Sequence, residues 1–210
     1  SALSVLAARL MRDFPEYTHY YSIKKYRYPG TPSTNDTNRN LLLFRDPTVD
    51  GLKTGHTNAA GYCMIVTAKR DFPNLPGGRR LLSIVLGASS EAVRANESQK
   101  LVYWGYTAFV AVRLFDANQA VATPQVWKGK AGTAKLGRPE PIVVTVPSGS
   151  ASRVSTQVVR PDPLVAPLAK NQALGSLKIS LGEQALAEVP LMVLEPVEQA
   201  GVLGRAWDAV

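Results

Sequence analysis

Apolar and polar positions alternate with different periods in the two halves of the chain. Near the start, apolar residues recur at helical spacing: Leu3, Leu6, Leu10 and Phe14. This helix is predicted to end before Pro15, because a residue that precedes proline is pushed out of the helical region. Residues 19–28 are rich in tyrosine and predict an extended segment. A polar loop is predicted over residues 30–40, after the turn signal Pro29-Gly30.

Two runs of apolar and β-branched residues, 61–68 and 80–88, predict the strands of an antiparallel hairpin. Turn-forming residues between 71 and 78 predict a long connection. Ser90 is predicted to cap a following helix, with Glu91 placed favourably in its first turn. The predicted inner face of that helix is formed by Leu101, Gly105, Ala108 and Val112.

The character of the sequence changes after Phe115, where glycine, proline and short β-branched runs dominate. Runs at 141–146, 154–158 and 177–181 are typical of a small all-β module. We therefore predict two domains, residues 1–115 and 116–210, with the boundary near 115–122. The last residues carry an apolar stripe that could begin an amphipathic helix at a membrane surface: Val202, Leu203, Ala206, Trp207 and Val210.

Composition narrows the chemistry that the chain can perform. The net charge of +8 suits an anionic partner, but no nucleic-acid-binding signature accompanies it, so no nucleic acid is predicted. No apolar run reaches the roughly 18 residues that span a membrane. A single cysteine, Cys63, excludes an intramolecular disulfide and is predicted to be a buried thiol. With only His19 and His56 besides it, no metal site and no cofactor are predicted.

The segment Asp50–Thr57 contains Lys53-Thr54-Gly55 directly before the first strand of the predicted hairpin. The tripeptide alone is common. A Lys-Thr-Gly on a strand, followed by an antiparallel hairpin and a long helix, resembles the serine penicillin-recognising enzymes.

More of the chain is similar to the low-molecular-mass penicillin-binding D-alanyl-D-alanine carboxypeptidases. The similar segments are Asn38-Arg39-Asn40-Leu41-Leu42, Gly61-Tyr62, residues 83–88, Asn96-Glu97-Ser98, Trp104-Gly105, Ala166-Pro167-Leu168 and residues 204–208. The resemblance implies an incomplete α/β (α+β) transpeptidase or β-lactamase-like portion, followed by a small all-β domain that holds it away from the membrane.

The resemblance also implies a role for each motif residue. Thr54 would bind the terminal carboxylate of a D-Ala-D-Ala peptide, and Lys53 would supply a fixed ammonium. Gly55 would leave room for the peptide to lie along the strand. The backbone N–H of His56 would donate to the oxyanion, and the planar fork of Arg39 would pair with the carboxylate. Without the flanking matches, a solvated strand would explain the same residues.

The reaction also needs a serine in Ser-x-x-Lys at the start of a helix and a Ser-x-Asn motif. Ser22–Lys25 and Ser33–Asn35 have these spacings, but the tyrosine-rich setting of Ser22 favours a strand, on which Ser22 and Lys25 would face apart. Both of these motifs also lie closer to Lys53-Thr54-Gly55 along the chain than the corresponding motifs do in the family. We therefore expect the nucleophile to lie upstream. No nucleophile-elbow pattern supports a Ser-His-Asp triad built on His19 or His56.

The predicted activity of the parent protein is removal of the terminal D-Ala from peptidoglycan stem peptides through a serine acyl-enzyme. Its expected partners are the stem peptide, β-lactam antibiotics and an N-terminal part of the same protein. The resemblance implies a periplasmic protein peripheral to the inner membrane, and the 210-residue chain alone is expected to be inactive. Two alternatives stay open: a β-lactamase of the same superfold and a non-catalytic peptidoglycan-binding protein.

Overall fold

A computed structural model describes residues 2–30 and 32–201 of the chain. Contacts divide it into two units, Ser1–Phe109 and Val110–Val210. The boundary expected near 115 falls earlier, because the strand Phe109–Phe115 pairs with a strand of the second unit. The predicted amphipathic segment from Val202 lies outside the described residues.

The first unit contains four α-helices, two short 3-10 turns and three strands within the described residues. In chain order they are α1 (Ala2–Asp13), a 3-10 turn (Pro15–Tyr17), α2 (Thr18–Tyr21), a second 3-10 turn (Ser33–Asn35), α3 (Leu42–Arg45), β1 (Val49–Thr57), β2 (Gly61–Phe72), β3 (Leu75–Ala88) and α4 (Glu91–Ala108). The predicted end of the first helix before Pro15 is confirmed.

The tyrosine-rich segment is not extended throughout, and the prediction for its first part is wrong. Thr18–Tyr21 forms a helical turn, and the Ser22 N–H donates to the carbonyl of His19 at 3.2 Å. Pro15 begins the preceding 3-10 turn, which places the chain in a helical path before the aromatic residues start. Extended pairing begins only at Lys25, which forms an isolated antiparallel bridge with Thr37.

The strands β1, β2 and β3 form an antiparallel sheet in that order. The long connection predicted within the hairpin is wrong, because β2 and β3 stay paired until Phe72 faces Leu75. Gly77 and Gly78 have φ values of +85° and +68° and lie within β3, next to a register shift. Of the residues that predicted a loop, Pro73 and Asn74 form a tight turn, and the two glycines lie in a bulge within β3.

Helix α4 packs across β2 and β3. Its buried residues are Arg94, Ala95, Ser98, Val102 and Tyr106. Ala95, Val102 and Tyr106 contribute to a hydrophobic core with residues of α3 and of β1 and β2. The predicted inner face was partly wrong, since Leu101 is 42% exposed and Val112 lies beyond the helix. Gly105 does face the sheet, where an added Cβ would lie 2.8 Å from Leu81 Cδ1. Close packing therefore selects the small residues of this helix.

The C-terminal end of α4 is held by Arg79, a buried residue of β3. Its guanidinium donates to the carbonyls of Gly105 at 3.2 Å, Tyr106 at 3.1 Å and Phe109 at 2.7 Å. The Tyr106 hydroxyl donates in turn to the carbonyls of Ala68 and Arg79. Burial lowers the pKa of Arg79 and raises that of Tyr106. A cation at this end also suits the helix dipole.

The second unit is built of short strands around one apolar core, as predicted. The strands are β4 (Phe109–Phe115), β5 (Ala120–Ala122), β6 (Val126–Trp127), β7 (Leu136–Gly137), β8 (Ile142–Pro147), β9 (Val154–Val159), β10 (Leu164–Val165), β11 (Ala173–Leu181) and β12 (Gln184–Val193). The main sheet has the order β5-β7-β12-β11-β9. In the described part of this unit, the helical element is a 3-10 turn, Ala151–Arg153.

Strand β8 shows why this half of the sequence reads as β structure. Its residues alternate between buried and exposed, so that Ile142, Val144 and Val146 enter the core. They meet residues of the central strands that are fully buried, including Leu177, Ile179, Leu191 and Val193. Among the described residues of the whole chain, no helix has the length and apolar character needed to cross a membrane.

Candidate functional site

The Lys-Thr-Gly motif lies on β1, as predicted. Lys53, Thr54 and Gly55 face Ile65, Met64 and Cys63 of β2, and β2 is the one neighbour of β1 in the described sheet. Side chains alternate along the strand, because Leu52 is buried, Lys53 is exposed and Thr54 is half-buried. The Lys53 ammonium donates to the carbonyl oxygen of Thr54. The motif is therefore on an edge strand.

The space beside Gly55 is open, since a Cβ added there would meet nothing within 4 Å. The next residue, His56, is exposed and pairs across the strands with Tyr62. The two rings lie 4.0 Å apart. A shallow cleft of about 460 Å³ starts at His56 and Tyr62 and runs past Asn58 to Ser89. The cleft therefore lies next to the motif, at the end of β1 that carries His56.

Asn38 and Asn40 fix the loop that carries Arg39. The buried Asn40 side chain donates to the carbonyl of Gly51 at 3.1 Å and accepts from the N–H of Leu42 at 3.1 Å. Asn38 accepts from the N–H of Asn40 at 2.9 Å. Both amides are used by backbone groups, whereas the side chain of Arg39 between them is exposed. The loop thereby joins the start of β1 and presents Arg39 to solvent.

Arg94 was missed by the sequence reasoning. It lies in the first part of α4 with a side chain only 3% exposed, and it bonds Glu91 at 2.7 Å. Its guanidinium also donates to the backbone of the Arg39 loop, of β1 and of β2. A signal was present in the sequence: Arg94 shares a helical stripe with Ser98 and Val102, and a cation near a helix N-terminus is unfavourable unless it has partners elsewhere.

The segments with the spacings Ser-x-x-Lys and Ser-x-Asn, Ser22–Lys25 and Ser33–Asn35, lie at short helical turns. The Ser22 hydroxyl donates to the carbonyl of His19 at 2.8 Å, while the Lys25 ammonium lies 3.7 Å from Asp36. Ser22 follows a helical turn, so the prediction that it lies on a strand is wrong. The Ser22 hydroxyl and the Lys25 ammonium nevertheless bind different partners and do not pair with each other. Ser33–Asn35 forms a 3-10 turn.

Two further predictions concern possible metal or thiol chemistry. Cys63 is a free cysteine, and it is half-buried and not buried as predicted. It lies near the exposed end of the hairpin, where its thiol donates toward the carbonyl of Ala60. Across the described ranges, no three His, Cys, Asp or Glu side chains are grouped so that they could hold a metal ion.

Two family models match the chain. Residues 1–90 match the family of D-alanyl-D-alanine carboxypeptidases, and residues 109–199 match the C-terminal domain of penicillin-binding protein 5. The first match lies within the first unit, and the second match begins at residue 109, where the first unit ends.

Relatives and solved structures agree with these matches. The chain is 35% identical to D-alanyl-D-alanine carboxypeptidase DacC of Escherichia coli, over 99% of this chain and 50% of the relative. It is 32% identical to DacA of Haemophilus influenzae, over 98% of this chain and 51% of the relative. Penicillin-binding protein 5 from Haemophilus influenzae has a similar structure, with a TM-score of 0.76 at 31% identity, covering 93% of this chain and 55% of that one.

The Lys-Thr-Gly edge strand, the helix behind its sheet and the β unit that follows place the chain in the class of penicillin-binding proteins. Within that class it belongs to the D-alanyl-D-alanine carboxypeptidase family. The chain spans about half the length of the relatives that it matches.

Proposed function

We propose that the protein containing this chain is a serine-type D-alanyl-D-alanine carboxypeptidase that removes the terminal D-Ala from peptidoglycan stem peptides. The observation that carries the proposal is the exposed Lys-Thr-Gly edge strand within a segment that matches this family. An extended peptide can add to such an edge through main-chain hydrogen bonds, with side chains of the strand selecting its terminus.

Each site residue has a role that suits its position. Thr54 donates a charge-assisted hydrogen bond to the terminal carboxylate of the peptide, and Arg39, exposed on its loop, adds positive charge at the same end. The ammonium of Lys53 raises the positive potential along the strand. Gly55 has open space beside it for the peptide. The backbone N–H of His56 stabilises the negative oxygen of the tetrahedral intermediate.

The chemical step needs a serine from another part of the protein. That serine attacks the carbonyl of the penultimate D-Ala, the peptide bond breaks, and the terminal D-Ala leaves as a free amine that takes up a proton. Water then releases the shortened peptide from the acyl-enzyme. β-Lactams would enter the same site, because they also present a carboxylate beside a reactive carbonyl. No cofactor takes part in this scheme.

Neither alternative function is favoured. A β-lactamase does not account for the second unit, which matches the C-terminal domain of penicillin-binding protein 5 over residues 109–199. A non-catalytic wall-binding protein is not favoured because residues 1–90 match a family of carboxypeptidases. The substrate is part of the bacterial cell wall, so we place the protein in the periplasm. Contact with the inner membrane through the C-terminal residues, with the second unit as a spacer, belongs to the same proposal.

The experiment is steady-state hydrolysis of an acyl-D-Ala-D-Ala peptide by the full-length protein. Thr54→Ala should lower kcat/KM roughly ten- to a hundredfold, because it removes a hydrogen bond to a charged group. This decrease corresponds to a loss of about 1.5–3 kcal/mol of transition-state stabilisation. Thr54→Ser keeps the hydroxyl and should retain most of the activity. A wild-type protein that releases no D-Ala, or a Thr54→Ala variant with unchanged kinetics, would contradict the proposal.

A further inference from the structure

Arg94 makes contacts that the architecture of the helix does not require. Besides Glu91, its guanidinium donates to the carbonyls of Arg39 at 3.2 Å, Gly55 at 3.4 Å and Cys63 at 3.5 Å. The last two distances are longer than the roughly 2.7–3.2 Å that is usual for an N–H···O hydrogen bond, so these two contacts are weak. The three acceptors lie on the Arg39 loop, on β1 and on the neighbouring strand β2, and two of them, Arg39 and Gly55, are proposed binding residues.

The carbonyl of Gly55 and the N–H of His56 are the two ends of one peptide group. Because a peptide group is planar and trans, the two bonds point in opposite directions. A donor that holds the carbonyl toward α4 therefore also holds the N–H away from α4. That N–H is the proposed donor to the oxyanion, and hydrogen bonding at the carbonyl polarises the same group and strengthens its N–H as a donor.

We infer that Arg94 is a positioning residue for the reaction: it orients and polarises the Gly55–His56 peptide so that the His56 N–H meets the oxyanion. The inference rests on the proposed function, because it concerns a donor of that site. An oxyanion donor acts on the transition state rather than on the bound substrate, so a positioning residue for it affects kcat more than KM.

The structure offers a matched control in Arg79. It is also a buried arginine that donates to three backbone carbonyls, but those belong to the C-terminal end of α4 and to Phe109. The Nε atoms of Arg79 and Arg94 are both buried, and neither has a hydrogen-bond partner among the described residues. Arg79→Lys and Arg94→Lys each keep the charge and lose the planar fork. A loss of folding stability alone would affect both variants in the same way.

The test compares these variants in the full-length protein by hydrolysis of an acyl-D-Ala-D-Ala peptide and by hydrogen exchange of the segment from Thr54 to Thr57. Arg94→Lys should lower kcat about ten- to a hundredfold with a change in KM below about threefold. It should also exchange faster in that segment. Arg79→Lys should lower the melting temperature and leave both readouts close to wild type. If Arg94→Lys is poorly folded, Arg94→Gln, which keeps an amide donor, replaces it.

The inference is overturned if Arg94→Lys changes only KM, if Arg79→Lys loses the same kcat, or if exchange of the segment is unaltered. Two failures are distinguishable. A wild-type protein that does not hydrolyse the peptide overturns the proposed function and the catalytic part of the inference, while faster exchange in Arg94→Lys still supports the positioning contact. Normal wild-type hydrolysis with an unaffected Arg94→Lys overturns the inference alone.

Discussion

The carboxylate of Asp46 holds the backbone just before β1, the strand that carries the Lys-Thr-Gly motif. Its Oδ1 accepts from the N–H and the hydroxyl of Thr48 at 2.9 and 2.6 Å, and its Oδ2 accepts from Arg70 at 3.0 Å. Burial raises the pKa of Asp46, but the hydrogen bonds from Thr48 and then Arg70 lower it by more, so that it lies below the ordinary value. The ionised carboxylate therefore fixes the entry into β1.

The stability contributed by Asp46 should depend on pH. A carboxylate whose pKa is lowered by folding stabilises the native state above its unfolded pKa, near 3.9, and loses that contribution as the pH falls through the folded pKa. Asp46→Asn should reduce the free energy of unfolding at pH 7 by about 1–2 kcal/mol. The difference from wild type should shrink below about pH 4. Thermal melts at both pH values measure it.

Glu97→Gln is the control for Asp46→Asn, because Glu97 forms an exposed pair with Lys100 on the surface of α4. Such pairs contribute little to stability. A difference between wild type and Asp46→Asn that stays constant down to strongly acidic pH would contradict the role given to the ionised carboxylate.

At the scale of elements, local signals predicted the start of α4 and distant contacts decided the rest of it. The Ser90 side chain accepts from the N–H of Val93 at 3.1 Å, as the sequence predicts for an N-cap. The buried face of α4 was only partly predicted. Small residues and Tyr106 pack against the sheet, whereas Leu101, which was expected there, is exposed. The periodicity of a helix gives its faces, but the shape of the neighbouring sheet decides which face is buried.

Removal of the cap should loosen the helix turn that carries Arg94. Ser90→Ala should destabilise the protein by about 1 kcal/mol, because a backbone N–H loses its partner. Ser90→Asp keeps an acceptor and should be close to wild type. The exposed neighbour Ser89, changed to alanine, controls for loss of a hydroxyl on the surface. Denaturant unfolding decides the matter, and equal stability of Ser90→Ala and Ser89→Ala would contradict the capping role.

At the scale of the whole molecule, the chain holds the proposed binding strand and a separate β unit, but its Ser-x-x-Lys does not form a catalytic pair. The Ser22 hydroxyl bonds the carbonyl of His19, and the Lys25 ammonium faces Asp36. An activated serine needs a base within hydrogen-bond reach, and these contacts direct the two side chains to other partners. We therefore predict that the proposed acyl-enzyme forms on a serine other than Ser22.

The 210-residue chain alone should not be labelled by a fluorescent penicillin, whereas the same chain extended upstream through a Ser-x-x-Lys helix should be. In the proposed function, Lys53, Thr54 and the His56 N–H bind a carboxylate and an oxyanion, and no ester bond can form without a nucleophile. Mass spectrometry after incubation reads out the adduct. A penicilloyl group on Ser22, or on another serine of the isolated chain, would contradict this prediction and show that the 210 residues contain a complete acylation site.

The sequence by itself determined the features that depend on neighbouring residues. Short β-branched runs, two of which alternate with period two, predicted strands of the second unit, and Ser90 with Glu91 predicted the start of α4. The resemblance to the penicillin-recognising enzymes predicted that Lys53-Thr54-Gly55 lies on a strand. These signals are reliable because alternation and capping act within a few residues of the chain.

Only the tertiary structure decided the features that join distant segments. Turn-forming glycines became a bulge because β2 and β3 pair through them. Asn40 could not be assigned to the carbonyl of Gly51, nor Arg94 to that of Gly55, from any local pattern. The physical reason is that a buried polar side chain is defined by the partners that satisfy it, and those partners are brought to it only when the chain has folded.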